Sequence, residues 1–87
     1  MMNPHDALQS AAKDAGLAVD TFLRSRSAPV LIAKQDLMLY LRNQGETVWY
    51  IAYLMCCDRG TVAYSIRMAN ARQEGREISA AEARKAR

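Results

Sequence analysis

The chain has 87 residues, with twelve Lys and Arg against nine Asp and Glu, a formal charge of +3 and one histidine. That length admits one small domain with a core of modest stability, and no GxxxxGK[ST] run exists to cradle ATP phosphates. The apolar stretches are too short to cross a bilayer, and Met1-Met2-Asn3-Pro4-His5-Asp6 lacks the basic-then-apolar order of a signal peptide, so a cytoplasmic, nucleoid-associated protein without a membrane partner is expected.

Residues 5–26 are predicted to form one N-terminal helix. Leu8, Ala12, Ala15, Val19, Phe22 and Leu23 recur at three- and four-residue spacing, with Asp6 near the start and Arg24 and Arg26 near the end to complement the helix dipole. Gly16 is a point at which it bends. Its apolar face is expected to cover the back of the following helices, or else to form a homodimer. Residues 24 to 30 then break the pattern, because Pro29 disfavours a helical residue before it and the serines favour local backbone hydrogen bonds. An exposed loop carrying two arginines follows from this.

Val30 to Asn43 is predicted as the next helix, with Ala33, Leu37, Tyr40 and Leu41 facing inward, Lys34 and Arg42 facing outward toward phosphates, and Gly45 available for a left-handed stop. Thr47 is the N-cap of a short helix in which Val48, Ile51, Ala52 and Met55 recur at helical spacing. Trp49 and Tyr50 lie within it, and at least one of them is expected to be partly exposed because Val48, Ile51 and Ala52 claim the core face, with Trp49 expected against the N-terminal helix. The pattern breaks at Cys56-Cys57, and Asp58 supplies a fresh N-cap. In the helix that follows, Val62, Ile66 and Ala69 form a buried stripe, leaving Arg59, Gly60, Ala63, Tyr64 and Arg67 on the solvent side.

Two helices joined by so short a turn match a helix-turn-helix, and the outward face carries chemistry suited to DNA. Arg59 can reach both acceptors of a guanine edge, Thr61 offers a methyl to thymine or a hydroxyl to phosphate, and Gly60 permits close backbone approach. The positive excess agrees: residues 1 to 20 hold Asp6, Asp14 and Asp20 against Lys13, so the surplus lies from Arg24 onward. Adjacent Cys56 and Cys57 make a poor disulfide, and the sole histidine, His5, is far away in sequence. They are expected to fill the corner of the turn as small apolar side chains, with no metal or other cofactor.

The recognition helix is predicted to run to Gly75. Ser79-Ala80-Ala81-Glu82 has the spacing of a capping box opening a short helix within a polar tail, 76–87, which is expected to be a frayed helix or disordered and whose Arg84, Lys85 and Arg87 add salt-sensitive attraction to DNA.

Over roughly residues 24 to 72 the chain resembles the C-terminal DNA-binding domain of the bacterial replication initiator DnaA, a helical domain with a Trp-repressor-like helix-turn-helix. Asp58-Arg59-Gly60-Thr61-Val62 stands where that family has Asp-His-Thr-Thr-Val, and Leu37-Met38-Leu39-Tyr40-Leu41, Gly45 and Ile51-Ala52 resemble its preceding helix and Gly…Ile-Gly pattern. The resemblance implies DNA-contacting roles for Asp58 and Thr61, different chemistry at Arg59 and Gly60, and an arginine from the Arg24/Arg26 loop in the minor groove. The turn departs from the family, with Cys56 and Cys57 in place of its glycines and one residue fewer.

The expected fold is therefore all-α, a single domain of four or five helices (5–26, 30–74 with the helix-turn-helix, and the 76–87 tail). The expected activity is binding of double-stranded DNA, not enzymatic catalysis, through Arg24, Arg26, Lys34, Asp58, Arg59, Gly60, Thr61, Tyr64 and Arg67. The rival expectation is a small helical adaptor anchored on a replication or transcription protein by exposed aromatics.

Overall fold

The computed structural model describes the backbone of residues 2–85 and the side chains of residues 2–75. Among the described residues the chain is all-helical, with α1 (Pro4–Asp14), α2 (Val19–Arg24), α3 (Ala28–Asn43), α4 (Val48–Met55) and α5 (Arg59–Lys85). No helix among them is long and apolar enough to cross a membrane.

The predicted N-terminal helix is two helices. Asn3 caps α1 by accepting from the backbone N–H of His5 at 2.8 Å, and Pro4 takes the first turn, where its missing N–H is not needed. At the other end Gly16 adopts φ +73°, while the N–H of Leu17 reaches back to the carbonyl of Ala12 at 2.9 Å. This is a Schellman closure, and it ends the helix instead of bending it. The apolar spacing continues across the break because α2 turns back onto the core that α1 already covers. Leu8 and Ala12 from α1 and Phe22 from α2 belong to the same buried cluster, while Ala15 is exposed.

The core converges on Phe22, Leu41, Ile51 and Val62, one fully buried side chain from each of α2, α3, α4 and α5. Truncating Phe22 to alanine should cost about 3–5 kcal/mol, a large share of the stability of so small a domain. Helix α3 is the central element, in contact with α1, α4 and α5. It is covered on more than one side, so its buried set is wider than a single stripe: Val30, Leu37, Met38, Leu39 and Leu41 are buried, and Tyr40, expected inside, is exposed. The helix also begins earlier than Val30, at Ala28, with Pro29 in its first turn. Arg72 of α5 fastens the two longest helices by donating to Gln35 Oε1 at 2.5 Å and Asp36 Oδ1 at 3.0 Å.

Helix α5 continues through Gly75 to Lys85, so neither a stop at Gly75 nor a new start at Ser79 is present. One interior glycine costs about 1 kcal/mol of helix propensity, too little to end a helix that packs along α3. The side chains of the 76–87 tail, including Arg84, Lys85 and Arg87, lie outside the described residues.

Candidate nucleic-acid interface

The local chemistry at the junction of α4 and α5 starts with two caps. Thr47 Oγ1 accepts from the N–H of Tyr50 at 3.1 Å to open α4, and Asp58 Oδ1 accepts from the N–H of Thr61 at 3.0 Å to open α5. Hydrogen bonding from Thr61, its side chain first and its backbone N–H second, holds the Asp58 carboxyl below its ordinary pKa. Asp58 is therefore ionised at neutral pH, where it also suits the positive end of the helix.

Between α4 and α5 lies a three-residue link, Cys56, Cys57 and Asp58. The N–H of Cys57 bonds the carbonyl of Ala52 at 3.0 Å and that of Cys56 bonds Tyr53 at 3.3 Å, while Cys56 adopts the left-handed φ 55° and ψ 42°. Gly16 and Gly45 occupy the equivalent place at the ends of α1 and α3, so Cys56 stands where the chain elsewhere uses glycine. The two thiols are not alike. Cys56 is exposed, contrary to the expectation that both fill a buried corner, because the left-handed turn carries its side chain away from the core. Cys57 is half-buried against the core, and burial, then the neighbouring Asp58 and Cys56, push its pKa up against an opposing effect of Lys34. A thiol held protonated in this way is a poor nucleophile.

The buried side of α5 is Val62, Ser65 and Ala69, with Ile66 partly buried, and its exposed side carries Arg59, Gly60, Thr61, Ala63, Tyr64 and Arg67. Ser65 is the one member of the buried stripe that an apolar pattern does not reveal. No salt bridge engages Arg59 or Arg67 among the described residues. Instead, the guanidinium carbon of Arg59 lies 3.6 Å from the ring centroid of Trp49. Trp49 is 67% exposed and does not pack as expected on the N-terminal helix, since Ile51, Ala52, Leu54 and Met55 already present the buried face of α4. On the same strip, Tyr53 is 77% exposed.

The second group of expected contacts surrounds the α2–α3 loop. Arg24, Arg26 and Lys34, together with Leu23, Ser25 and Leu31, line an open cleft of about 530 Å³. A smaller cleft of about 110 Å³ shares Leu23, Leu31 and Lys34 and extends to Cys56, Cys57 and Thr61. The loop and the front of α5 thus open onto one wall of the molecule. Their cations are in different states, however. Arg24 is paired with Asp20, its Nε donating to Oδ1 at 3.3 Å, whereas Arg26 is exposed with no salt bridge among the described residues.

Lys34 does not point outward. It is half-buried, and its ammonium donates to the carbonyls of Leu23 at 3.1 Å and Ser25 at 2.9 Å, closing the C-terminal end of α2. Burial, with a smaller contribution from Arg26, lowers its pKa, and proximity to Cys57 opposes this. Arg42, the other expected outward cation of α3, is exposed and donates to the carbonyl of Glu46 at 3.2 Å. The seven remaining expected positions on the two segments, other than Lys34 and the paired Arg24, are exposed: Arg26, Asp58, Arg59, Gly60, Thr61, Tyr64 and Arg67. No group of His, Cys, Asp and Glu able to hold a metal occurs among the described residues.

Neither family models nor curated proteins nor solved structures provide a match to this chain.

Proposed function

We propose that the chain binds double-stranded DNA, with α4 and α5 acting as a helix-turn-helix and the front of α5 seated in the major groove. What supports this above all is the exposed strip of α5: from Arg59 to Gln73 the helix contains three arginines and no acidic residue, and Arg59, Gly60, Thr61, Tyr64 and Arg67 all face solvent. Arg72 is held by Gln35 and Asp36, which leaves Arg59 and Arg67 to meet a polyanion. Arg59 reads a guanine, Thr61 touches a base or phosphate, and Tyr64, Arg67 and Arg26 hold the backbone. Asp58 orders the first turn of the helix, and its carboxylate is placed to accept from a cytosine amine. Arg24 joins the phosphate contacts only where a phosphate competes with Asp20. The resemblance to the initiator's DNA-binding domain fits a regulator of replication or transcription.

Selection of binding sites from a random duplex pool at two salt concentrations tests the proposal. Enrichment of one motif, with affinity falling steeply as salt rises, is the expected result, and a palindromic motif would indicate a homodimer. A pool that returns unchanged overturns it. The exposure of Trp49 and Tyr53 favours a second reading, an adaptor that anchors these aromatics in a protein partner. Under that reading Tyr53→Ala abolishes capture of a protein partner while duplex binding is nil throughout.

A further inference from the structure

We infer that Trp49 is a positioning residue for sequence readout: its indole holds the Arg59 guanidinium flat and ready to meet a guanine edge. The inference rests on the DNA-binding reading of α5 and adds to it a residue on the other helix of the pair.

Trp49 is the largest side chain in the protein, yet two thirds of it is left in water although a core lies one helix face away. Its indole makes no contribution to that core, and the contact it does make is with Arg59, 3.6 Å from its ring centroid. The two residues reach each other across the link between α4 and α5. Ile51 and Ala52, two and three positions beyond Trp49, are buried, and Val62, three positions beyond Arg59, is fully buried, so both backbones are fixed by the core while both side chains remain outside it.

At 3.6 Å from the ring centroid the guanidinium carbon is so close that an edge-on approach would drive its nitrogens into the ring. The group lies roughly parallel to the indole, uses one face of its plane and points its N–H groups to the edge. Stacking therefore leaves free the fork of donors that recognises the N7 and O6 atoms of guanine. It also removes rotamers before binding, so less freedom is lost when the contact forms. Without the indole, Arg59 keeps its charge and its attraction to phosphate but loses its aim. The expected consequence is selective: discrimination between bases falls, and general affinity for duplex changes little.

Because Trp49 is the sole tryptophan, the contact can be followed without DNA. In the free protein, Arg59→Ala should shift the intensity or wavelength of Trp49 emission, and an emission indifferent to this substitution overturns the inference. For readout, the probes are a duplex selected from a random pool by the wild-type protein and the same duplex with 7-deazaguanine in place of guanine, which removes N7. The wild type should prefer the guanine duplex. Trp49→Ala should reduce that preference about two- to fivefold, the size of an exposed cation–π contact, and Trp49→Phe should restore part of it. Helicity by circular dichroism confirms that each variant is folded. An unchanged preference in Trp49→Ala refutes the positioning role while leaving DNA binding intact. If the wild type itself selects no duplex, or binds guanine and 7-deazaguanine duplexes alike, the reading of Arg59 fails first and the role of Trp49 falls with it.

Discussion

Around the α2–α3 loop, Arg24 faces Asp20 and Lys34 donates to two backbone carbonyls, whereas along the front of α5 Arg59 and Arg67 stand exposed with no acidic partner among the described residues. The two regions have similar numbers of cations in the sequence, but they differ in how many remain available. In the first, two of three positive charges already have partners within the chain. In the second, the arginine that does have a partner, Arg59, has an uncharged one that leaves its charge and its donors unneutralised. Counting basic residues thus overstates the loop as an anion-binding surface and understates α5.

The largest expected effect that sharpens this contrast is on stability. Lys34→Met should destabilise the fold by about 1.5–3 kcal/mol, the scale of hydrogen bonds to a charged group, in a urea titration followed by circular dichroism. Unaltered stability combined with uniformly weaker duplex binding would place Lys34 with the phosphate contacts instead. Next, Arg59→Ala should weaken binding to a selected duplex by about 1–3 kcal/mol and relax discrimination at one base pair, while Arg67→Ala should weaken all duplexes similarly and reduce the salt slope by about one. Fluorescence anisotropy at several salt concentrations separates the two.

Gly60→Ala has a smaller effect of mixed sign. A Cβ there would lie 3.8 Å from Asp58 Oδ2, an ordinary contact, so the helix should gain about 0.5–1 kcal/mol and melt later. Duplex affinity should fall, because the added methyl stands between the backbone and the groove. A variant that is both more stable and equally tight in binding breaks the proposed close approach. The smallest effect concerns acid. Since the folded Asp58 carboxyl titrates below its unfolded value, its contribution to stability is complete above about pH 4 and declines as pH falls through the lowered folded pKa. Asp58→Asn keeps a capping oxygen but cannot titrate, so its melting temperature should fall less than that of the wild type between pH 5 and pH 2, by differential scanning fluorimetry.

The caps show which parts of this architecture can be read from the chain alone. Thr47 and Asp58 mark the starts of α4 and α5 because capping depends on a side chain and a backbone N–H within three residues. The same holds for the stop at Gly45. The helix break at Gly16 was hidden, since α1 and α2 bury residues in one core and the apolar spacing therefore runs on without interruption. Arg24 and Asp20 stand four residues apart on one helix, a spacing that allows their pairing and that the reading of Arg24 as a DNA contact passed over. By contrast, the partners of Lys34 lie nine and eleven residues away, and those of Arg72 lie 36 and 37 away. Such contacts depend on how helices pack, and the same is true of the contact between Trp49 and Arg59, although exposure of an aromatic on α4 was readable from the core face that Val48, Ile51 and Ala52 claim. It follows that the exposed face of α5 was within reach of periodicity, but the use to which each cation is put was not.

The left-handed conformation of Cys56 carries a practical lesson for anyone preparing an oxidation-resistant version of this protein. Serine, the habitual replacement for a thiol, would retain the same steric conflict between Cβ and backbone. Glycine would relieve it, so a variant with glycine at 56 and serine at 57 should tolerate heating better than the double serine. The familiar swap would remove the sulfur and leave the twist in the chain untouched.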